Sequence, residues 1–376
     1  MRYFMIAGEA SGDIHGGALI AALQEHDKEA QFDFLGGDSM SLSAGHGPIV
    51  HCREMAFMGF IEVMKHLASI LGFMKQAKRA MLHNRPNALI LIDYPSFNLK
   101  IAKWAKSQGI PVFYFISPKV WAWKEWRVND IKRYVDRMFS ILPFETEFYR
   151  RHDYKVDYVG NPTVKEIATA RQHMRSDSEL RAHFGLHPTK PIIALLPGSR
   201  LKEIRDNLPT MIAAASLHSS CQAVIAGAPN IDDDTYALAI KDKKIPVLRD
   251  ATLELVAHSR AALVTSGTAT LETALLGTPQ VACYRMNGSK LVYKFYSKLI
   301  KGKWVTLPNL ITNSPIIPEL LLHHCSVENV DDHLTQLLSD TQERQAMIDG
   351  YKKLAMILTT DDCAQNTAKR IIDQLK

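Results

Sequence analysis

Ala261-Ala262-Leu263-Val264-Thr265, then Ser266-Gly267-Thr268-Ala269, then Thr270-Leu271-Glu272-Thr273-Ala274-Leu275-Leu276 follow one another without interruption. The first group is a short apolar run of the kind that parallel sheets bury on both faces. The second carries no bulky side chain, so a ligand can approach its backbone closely. The third has a helical composition. A helix starting there presents unpaired N–H groups and the positive end of its dipole, a setting that favours an anion such as a pyrophosphate. Glu272 falls about one turn into that helix, where a carboxylate can accept hydrogen bonds from a sugar diol. A plain strand-turn-helix unit with a Ser/Thr cap has the same local pattern. The rest of the chain decides between the two readings.

The same unit recurs on both sides. Apolar runs at 3–7, 32–35, 88–92, 111–116, 137–142 and 156–159 precede a polar stretch at 163–177. Runs at 192–196, 223–226, 246–249, 261–265 and 280–284 follow it. Most are separated by helical patterns, which predicts βαβ units and parallel sheets. The polar stretch reads as a linker between two domains. The fold class is α/β, with two Rossmann-like, doubly wound domains at 1–170 and 178–349, and a C-terminal helical segment at 350–376. Helices are predicted over 57–79, 97–106, 178–185, 327–338, 342–358 and 362–375, and an ordered loop over 305–311.

The 376 residues suffice for two cores, and 47% hydrophobic with 22% charged residues is ordinary for a globular protein. A net charge of +6 suits acidic small molecules or an anionic membrane surface but is too weak to argue for nucleic acid. The five cysteines are scattered, without a C-x-x-C pair, which speaks against a disulfide framework and a structural zinc site. No apolar run approaches the ~18 residues a spanning helix needs, and the first apolar run is too short for a signal peptide.

Several features carry chemistry. Gly8-Glu9-Ala10-Ser11-Gly12-Asp13 is a small-residue turn at the C-terminal end of a first strand, where open α/β sheets place ligands. It is not G-x-G-x-x-G, so a dinucleotide is not supported. Asp93 closes the strand at 88–92. Either turn formation or acid–base chemistry suits a carboxylate there, and Ser96 is a fitting N-cap for the helix behind it. Arg200, in Pro197-Gly198-Ser199-Arg200, stands where a guanidinium can clamp a phosphate, or simply lies on the surface of a turn. Asp232-Asp233-Asp234 reads as the start of a helix rather than as metal ligands.

Two segments are amphipathic. Ile61, Met64, Leu67 and Leu71 recur at helical spacing beside Lys65, Lys75, Lys78 and Arg79. Lys290, Lys294 and Lys298 repeat every four residues among Leu291, Tyr293, Phe295 and Leu299. Each is open to two readings, an ordinary core-packed helix with a solvated basic face or a face that meets lipid.

Taken in order, several stretches together resemble one family, the lipid-A-disaccharide synthases. They are Gly8 to Asp13, Met58-Gly59-Phe60-Ile61-Glu62-Val63, Ile92-Asp93-Tyr94-Pro95-Ser96-Phe97-Asn98, Ser117-Pro118-Lys119-Val120-Trp121-Ala122-Trp123 and Leu142-Pro143-Phe144-Glu145 in the first half. In the second half they are Leu195 to Arg200, Ser266 to Glu272, Tyr284-Arg285-Met286 and Leu307-Pro308-Asn309-Leu310. Each alone is weak; the ordered set spans nearly the whole chain and is specific. The resemblance implies the GT-B fold, two Rossmann-like domains facing a cleft, with the last helix packing back on the first. It implies transfer of 2,3-diacylglucosamine from UDP-2,3-diacylglucosamine to 2,3-diacylglucosamine 1-phosphate with inversion, in the cytoplasm at the inner-membrane surface, with no cofactor or metal. Asp93 matches the family's candidate base. Arg200, Ser266, Gly267, Thr268, Thr270 and Glu272 are then expected to hold UDP, with Asn309 also on the substrate side. Ser11 and Asp13 are expected in the cleft without an assigned role. The acylated substrates favour the lipid reading of Ile61, Met64, Leu67, Leu71, Lys290, Lys294 and Lys298, and an exchangeable last helix leaves a homodimer open. Lys119 and Tyr94 stand at variable positions of their motifs, so nothing is carried over to them. A UDP-sugar 2-epimerase of the same fold and a non-catalytic UDP-sugar or lipid-binding protein are the rival readings.

Overall fold

The structure, a computed structural model, describes residues 1–55, 66–265, 267–285, 304–358 and 362–376. The chain divides into two compact units, Met1–Pro162 with Thr360–Lys376, and Thr163–Thr359. Each is built on a parallel sheet.

In the first unit the strands are β1 (Arg2–Ala7), β2 (Gln31–Gly36), β3 (Val50–His51), β4 (Ala88–Ile92), β5 (Val112–Phe115), β6 (Arg137–Ser140) and β7 (Asp157–Tyr158), in the order β3-β2-β1-β4-β5-β6-β7. The order reverses at β1, which pairs with β2 on one side and β4 on the other. This is the switch point where doubly wound sheets open a crevice at the carboxyl ends of their strands. β4 is wholly buried, as its unbroken Ala-Leu-Ile-Leu-Ile composition requires. Two apolar layers cover the sheet. One holds Phe4, Ile6, Leu89 and Leu91 beneath helices Leu67–Asn84 and Pro95–Ser107. The other holds Met5, Ile90 and Phe113 with Leu19 and Leu23 of helix Ala10–His26 and Ala368, Ile371 and Ile372 of the last helix, Cys363–Leu375. The last helix therefore belongs to the core of the first unit, while the helix before it, Gln342–Ile357, belongs to the second.

The second unit repeats the plan with β8 (Ile192–Leu196), β9 (Gln222–Ala226), β10 (Val247–Leu248), β11 (Ala261–Thr265), β12 (Gln280–Tyr284) and β13 (Glu319–Leu321), ordered β10-β9-β8-β11-β12-β13. β8 pairs with β9 and with β11, so its end is again the switch point. β8 and β11 are buried throughout.

Several local expectations change. The polar stretch after Pro162 is a helix, Pro162–His173, and Ile167 on it packs into the second core. The expected loop at 305–311 contains helix Leu307–Thr312, started by Pro308, whose fixed φ suits a first turn. Ser96 does not cap the helix behind Asp93. That helix starts at Pro95, with Tyr94 in the cap position and Ser96 exposed, accepting a hydrogen bond from Arg127 at 2.9 Å. Asp232 occupies its expected cap position without a side-chain bond, and Asp233 pairs with Arg249 instead. Helix Asp177–Phe184 does begin with a reciprocal Ser176–Glu179 capping box and ends at a left-handed Gly185.

Candidate active site

In the first unit the site is assembled from turns at the carboxyl edge of the sheet. β1 runs into Gly8 and Glu9 before helix Ala10–His26. A Cβ on Gly8 would lie 2.3 Å from the Tyr94 ring, so only glycine lets that ring cross the turn. The Tyr94 hydroxyl donates to Met55 O at 2.8 Å. Beyond β4, Asp93 (φ 41) and Tyr94 (φ 48) are both left-handed, and Ile116 (φ 65) is left-handed beyond β5. An αL β-branched residue is a genuine outlier, and such strain costs about 1–3 kcal/mol per residue. Three L-residues are thus strained at two adjacent strand ends, the kind of outlier that clusters at functional sites.

The holding contacts are explicit. Asp93 N–H donates to Phe115 O at 3.3 Å. Asn98, wholly buried, donates to Asp93 O at 2.8 Å and to Ile92 O at 3.2 Å. The Tyr114 hydroxyl also donates to Asp93 O. These bonds fix the Asp93 backbone at the sheet edge, with the residue half-buried. Burial, and then the neighbouring charge of Glu9, push its pKa from 3.8 up to about 6, while Lys119 and the Tyr94 N–H pull the other way. A carboxylate that is basic for its type and still ionised at neutral pH is what a general base requires.

Two further carboxyl groups of this unit bear on the site and carried no role in the sequence reading. Glu9 occupies the N-cap position of helix Ala10–His26 without making the usual side-chain cap bond. That was its signal, because a cap position ordinarily takes a short polar residue that uses it. Glu145 is 1% exposed, accepts from Trp121 Nε1 at 3.0 Å and bonds the Ser140 hydroxyl. Burial raises its pKa to about 7, against those two hydrogen bonds and the charge of Lys119.

The other first-unit residues fall into place differently. Ser11 is exposed in the first turn of its helix. Asp13 is buried and accepts from the backbone N–H groups of Gly37 (2.6 Å), Ser39 (2.9 Å) and Met40 (3.1 Å). It closes the turn after β2 by taking up three N–H groups at the start of helix Asp38–Ala44. Leu67 and Leu71 are exposed on helix Leu67–Asn84, whose buried face is Met74, Ala77 and Met81. Ile61 and Met64 lie outside the described residues, as do Ser266, Lys290, Lys294 and Lys298.

In the second unit the pairing of β8 with β11 sets two turns side by side. From β11 the chain reaches Gly267, at φ 137 and ψ −153, before helix Thr268–Leu276. That conformation is open almost only to glycine. Thr268 is exposed at the helix start, while Thr270 is buried and donates its hydroxyl to Gly267 O at 2.8 Å. Thr265 Oγ1, at the end of β11, is buried without a hydrogen-bond partner among the described residues. Glu272 is half-buried, and burial followed by the charge of Glu166 raises its pKa. Glu166, on helix Pro162–His173, was hidden to sequence reading because that stretch looked like a linker.

From β8 the chain passes through Gly198 and Ser199 to Arg200, at the cap position of helix Leu201–Ala215. Arg200 Nη1 pairs with Glu203 at 2.7 Å, with the Arg200 side chain 60% exposed. An exposed pair of this kind is worth about 0–1 kcal/mol, so a phosphate dianion can compete for the guanidinium. Asn309 is bonded within its own loop. It is wholly buried, donates to Ile317 O and to Glu319 Oε1 at 2.9 Å each, and accepts from Ile317 N–H at 3.0 Å. Both amide N–H groups are engaged within the protein, so Asn309 shapes helix Leu307–Thr312, which packs beside helix Thr268–Leu276.

Comparisons with known proteins bear on the family and the fold. A family model described as lipid-A-disaccharide synthetase matches residues 3–372. The chain is 38% identical over 375 residues to the lipid-A-disaccharide synthase of Acidobacterium capsulatum, covering 95% of this chain and 92% of that protein. It is 35% identical to that of Myxococcus xanthus, covering 100% and 97%. Among solved structures it is similar in fold to the UDP-GlcNAc 2-epimerase from Neisseria meningitidis bound to UDP-GlcNAc, with a TM-score of 0.64 at 14% identity over 100% of this chain and 99% of the other. It is likewise similar to the glycotransferase of kitacinnamycin, with a TM-score of 0.61 at 11% identity over 100% and 99%. These two likenesses speak for the two-domain fold, and the sequence matches for the transferase reading over the epimerase. The chain belongs to the lipid-A-disaccharide synthase family.

Proposed function

We propose that this enzyme transfers 2,3-diacylglucosamine from UDP-2,3-diacylglucosamine to 2,3-diacylglucosamine 1-phosphate, giving the β-1,6-linked disaccharide 1-phosphate and UDP. The observation that carries the proposal is Asp93, a half-buried carboxylate on a strained strand end, inside a chain that matches the family model over residues 3–372.

Asp93 takes the proton from the acceptor hydroxyl as its oxygen attacks the anomeric carbon. The C–O bond to UDP breaks on the opposite face, so an α-linked donor yields a β product in one displacement. The transition state resembles an oxocarbenium ion, with negative charge growing on the departing diphosphate. Gly267, Thr268 and the N-terminus of helix Thr268–Leu276 receive that charge with their N–H groups, and Arg200 adds a cation by leaving Glu203. Glu272 accepts from the ribose hydroxyls. Asn309 and Thr270 shape this half-site, and Asp13 shapes the other.

The acyl chains require access to a lipid surface. Leu67 and Leu71, 41% and 54% exposed on a helix that also carries Lys75, Lys78 and Arg79, support peripheral membrane contact. No helix among the described residues is long and apolar enough to cross a membrane.

The donor half is tested by calorimetric titration of UDP into Arg200→Ala and Glu272→Gln. Each variant is expected to lose about 1–3 kcal/mol of UDP affinity, the worth of a charged hydrogen bond. Unchanged affinity in both would remove the donor site from this edge of the sheet.

A further inference from the structure

The turn that carries Arg200 holds an anion of its own. β8 ends at Leu196, and the chain passes through Pro197, Gly198 and Ser199 to Arg200 before helix Leu201–Ala215. Glu203, in the first turn of that helix, folds its side chain back over the strand-to-helix turn. Its Oε2 accepts from the Ser199 backbone N–H at 3.2 Å, and its Oε1 accepts from Arg200 Nη1 at 2.7 Å. Gly198 makes the room. It sits at φ 111, and a Cβ there would lie 2.6 Å from Glu203 Oε2 and 2.7 Å from Glu203 Cβ. Only glycine lets the carboxylate lie across the turn.

A backbone N–H at a strand-to-helix turn, joined by a guanidinium, is a donor set suited to phosphate oxygens. Here the two oxygens of one carboxylate take one donor each. A capping role for a first-turn Glu is met by the Ser199 bond alone; the second oxygen goes to Arg200. The helix backbone beneath Glu203 is held independently of that carboxylate. Glu203 O accepts from Asn207 Nδ2 at 2.8 Å, and Asn207, buried, accepts at Oδ1 from the Arg285 N–H just beyond β12 at 2.6 Å. Arg285 Nη1 in turn donates to Thr210 Oγ1 at 2.6 Å. The Glu203 carboxylate can therefore swing away by side-chain rotation while the helix start keeps its place.

Resting on the reading of the Arg200 turn as part of the UDP site, we propose that Glu203 is an internal stand-in for the diphosphate: it holds the Ser199 N–H and the Arg200 guanidinium until the donor's diphosphate displaces it, and takes them back as UDP leaves. A diphosphate carries more charge than a carboxylate and wins the exchange. Each binding event nevertheless breaks a formed ion pair, and the displaced carboxylate then stands near the phosphates as a like charge. Both effects weaken UDP binding and favour release of the product.

The test uses Glu203→Gln, which keeps an oxygen for the Ser199 N–H and removes the charge, alone and combined with Arg200→Ala, in the full-length protein. Dissociation constants are read by calorimetry for UDP and by ligand-observed NMR titration for uridine, which has no phosphate. Glu203→Gln is expected to bind UDP about 3- to 10-fold more tightly, the size of an exposed ion pair plus a screened like charge, with uridine affinity unchanged. With Arg200 already replaced, the gain from Glu203→Gln should shrink to about twofold or less, because the two residues act on each other. A purely capping Glu203 predicts equal or weaker UDP binding, since a loosened helix start cannot tighten it. Equal or weaker UDP binding by Glu203→Gln, while Arg200→Ala alone weakens it, would overturn the proposal and leave the donor site standing. Equal tightening toward UDP and uridine would also overturn it. UDP affinity unmoved by Arg200→Ala would overturn the donor reading, and the proposal with it.

Discussion

Replacing Asp93 with Asn should make the protein more stable at neutral pH while removing its base. The reasoning is electrostatic. Folding places the Asp93 carboxyl where burial and Glu9 raise its pKa from 3.8 to about 6. The native state therefore binds a proton more tightly than the unfolded chain, and stability falls as pH rises through the window between those two values. Two pKa units correspond to about 3 kcal/mol at most, and the partial exposure of the side chain brings the expected penalty to about 1–2 kcal/mol above pH 6. Asn has nearly the same shape, carries no charge, and is one of the few residues that tolerates the left-handed backbone at this position. Thermal unfolding of both proteins at pH 4 and pH 7.5 measures the difference. The variant should gain about 2–6 °C at pH 7.5 in the transition of the first unit, and close to nothing at pH 4. A variant less stable than the parent at pH 7.5, or one whose gain is the same at both pH values, would refute the placement of a penalised charge at Asp93.

Other consequences can be checked on the same protein. Gly8→Ala puts a Cβ 2.3 Å from the Tyr94 ring. It should cost about 1–3 kcal/mol in urea unfolding and lower turnover, since the ring must leave its place beside Asp93. Asp13→Ala leaves the buried N–H groups of Gly37, Ser39 and Met40 without their acceptor, for an expected loss of about 2–4 kcal/mol in the same assay. A loss below about 1 kcal/mol would show that water or a neighbour replaces the carboxylate. Leu67→Ser with Leu71→Ser should weaken cosedimentation with anionic liposomes and leave the circular dichroism spectrum unchanged, since both side chains are exposed. Undiminished binding would move the lipid contact to another face.

Much of the fold was legible because parallel sheets leave a strong trace. β4, β8 and β11 are unbroken apolar runs, and each of them stands at a strand end that also carries a polar residue or a tight turn. What escaped was short or set by tertiary context. β3 and β13 have two and three residues and no periodicity to detect. Helix Pro162–His173 is polar on most of its surface, and only packing such as that of Ile167 distinguishes it from a linker. Of the candidate site, the position of Asp93 at the end of β4 and of Gly267 in a small-residue turn was legible. For Asn309 a motif says that the side chain matters without saying whether it touches a ligand or its own loop; here it holds Ile317 and Glu319. Glu145 was out of reach for a related reason: its bonds to Ser140 and Trp121 depend on the adjacency of β5 and β6, which brings together residues far apart in the chain.

The most direct measurement is product formation from the two substrates. Purified protein is incubated with UDP-2,3-diacylglucosamine and 2,3-diacylglucosamine 1-phosphate in mixed micelles, and disaccharide 1-phosphate and UDP are quantified together. The parent chain should release the two in equal amounts. Asp93→Asn should retain UDP binding and lose turnover by about 10²-fold or more, the usual contribution of a general base. Disaccharide formation by Asp93→Asn at close to the parental rate would contradict the central role given to the strained strand end at Asp93.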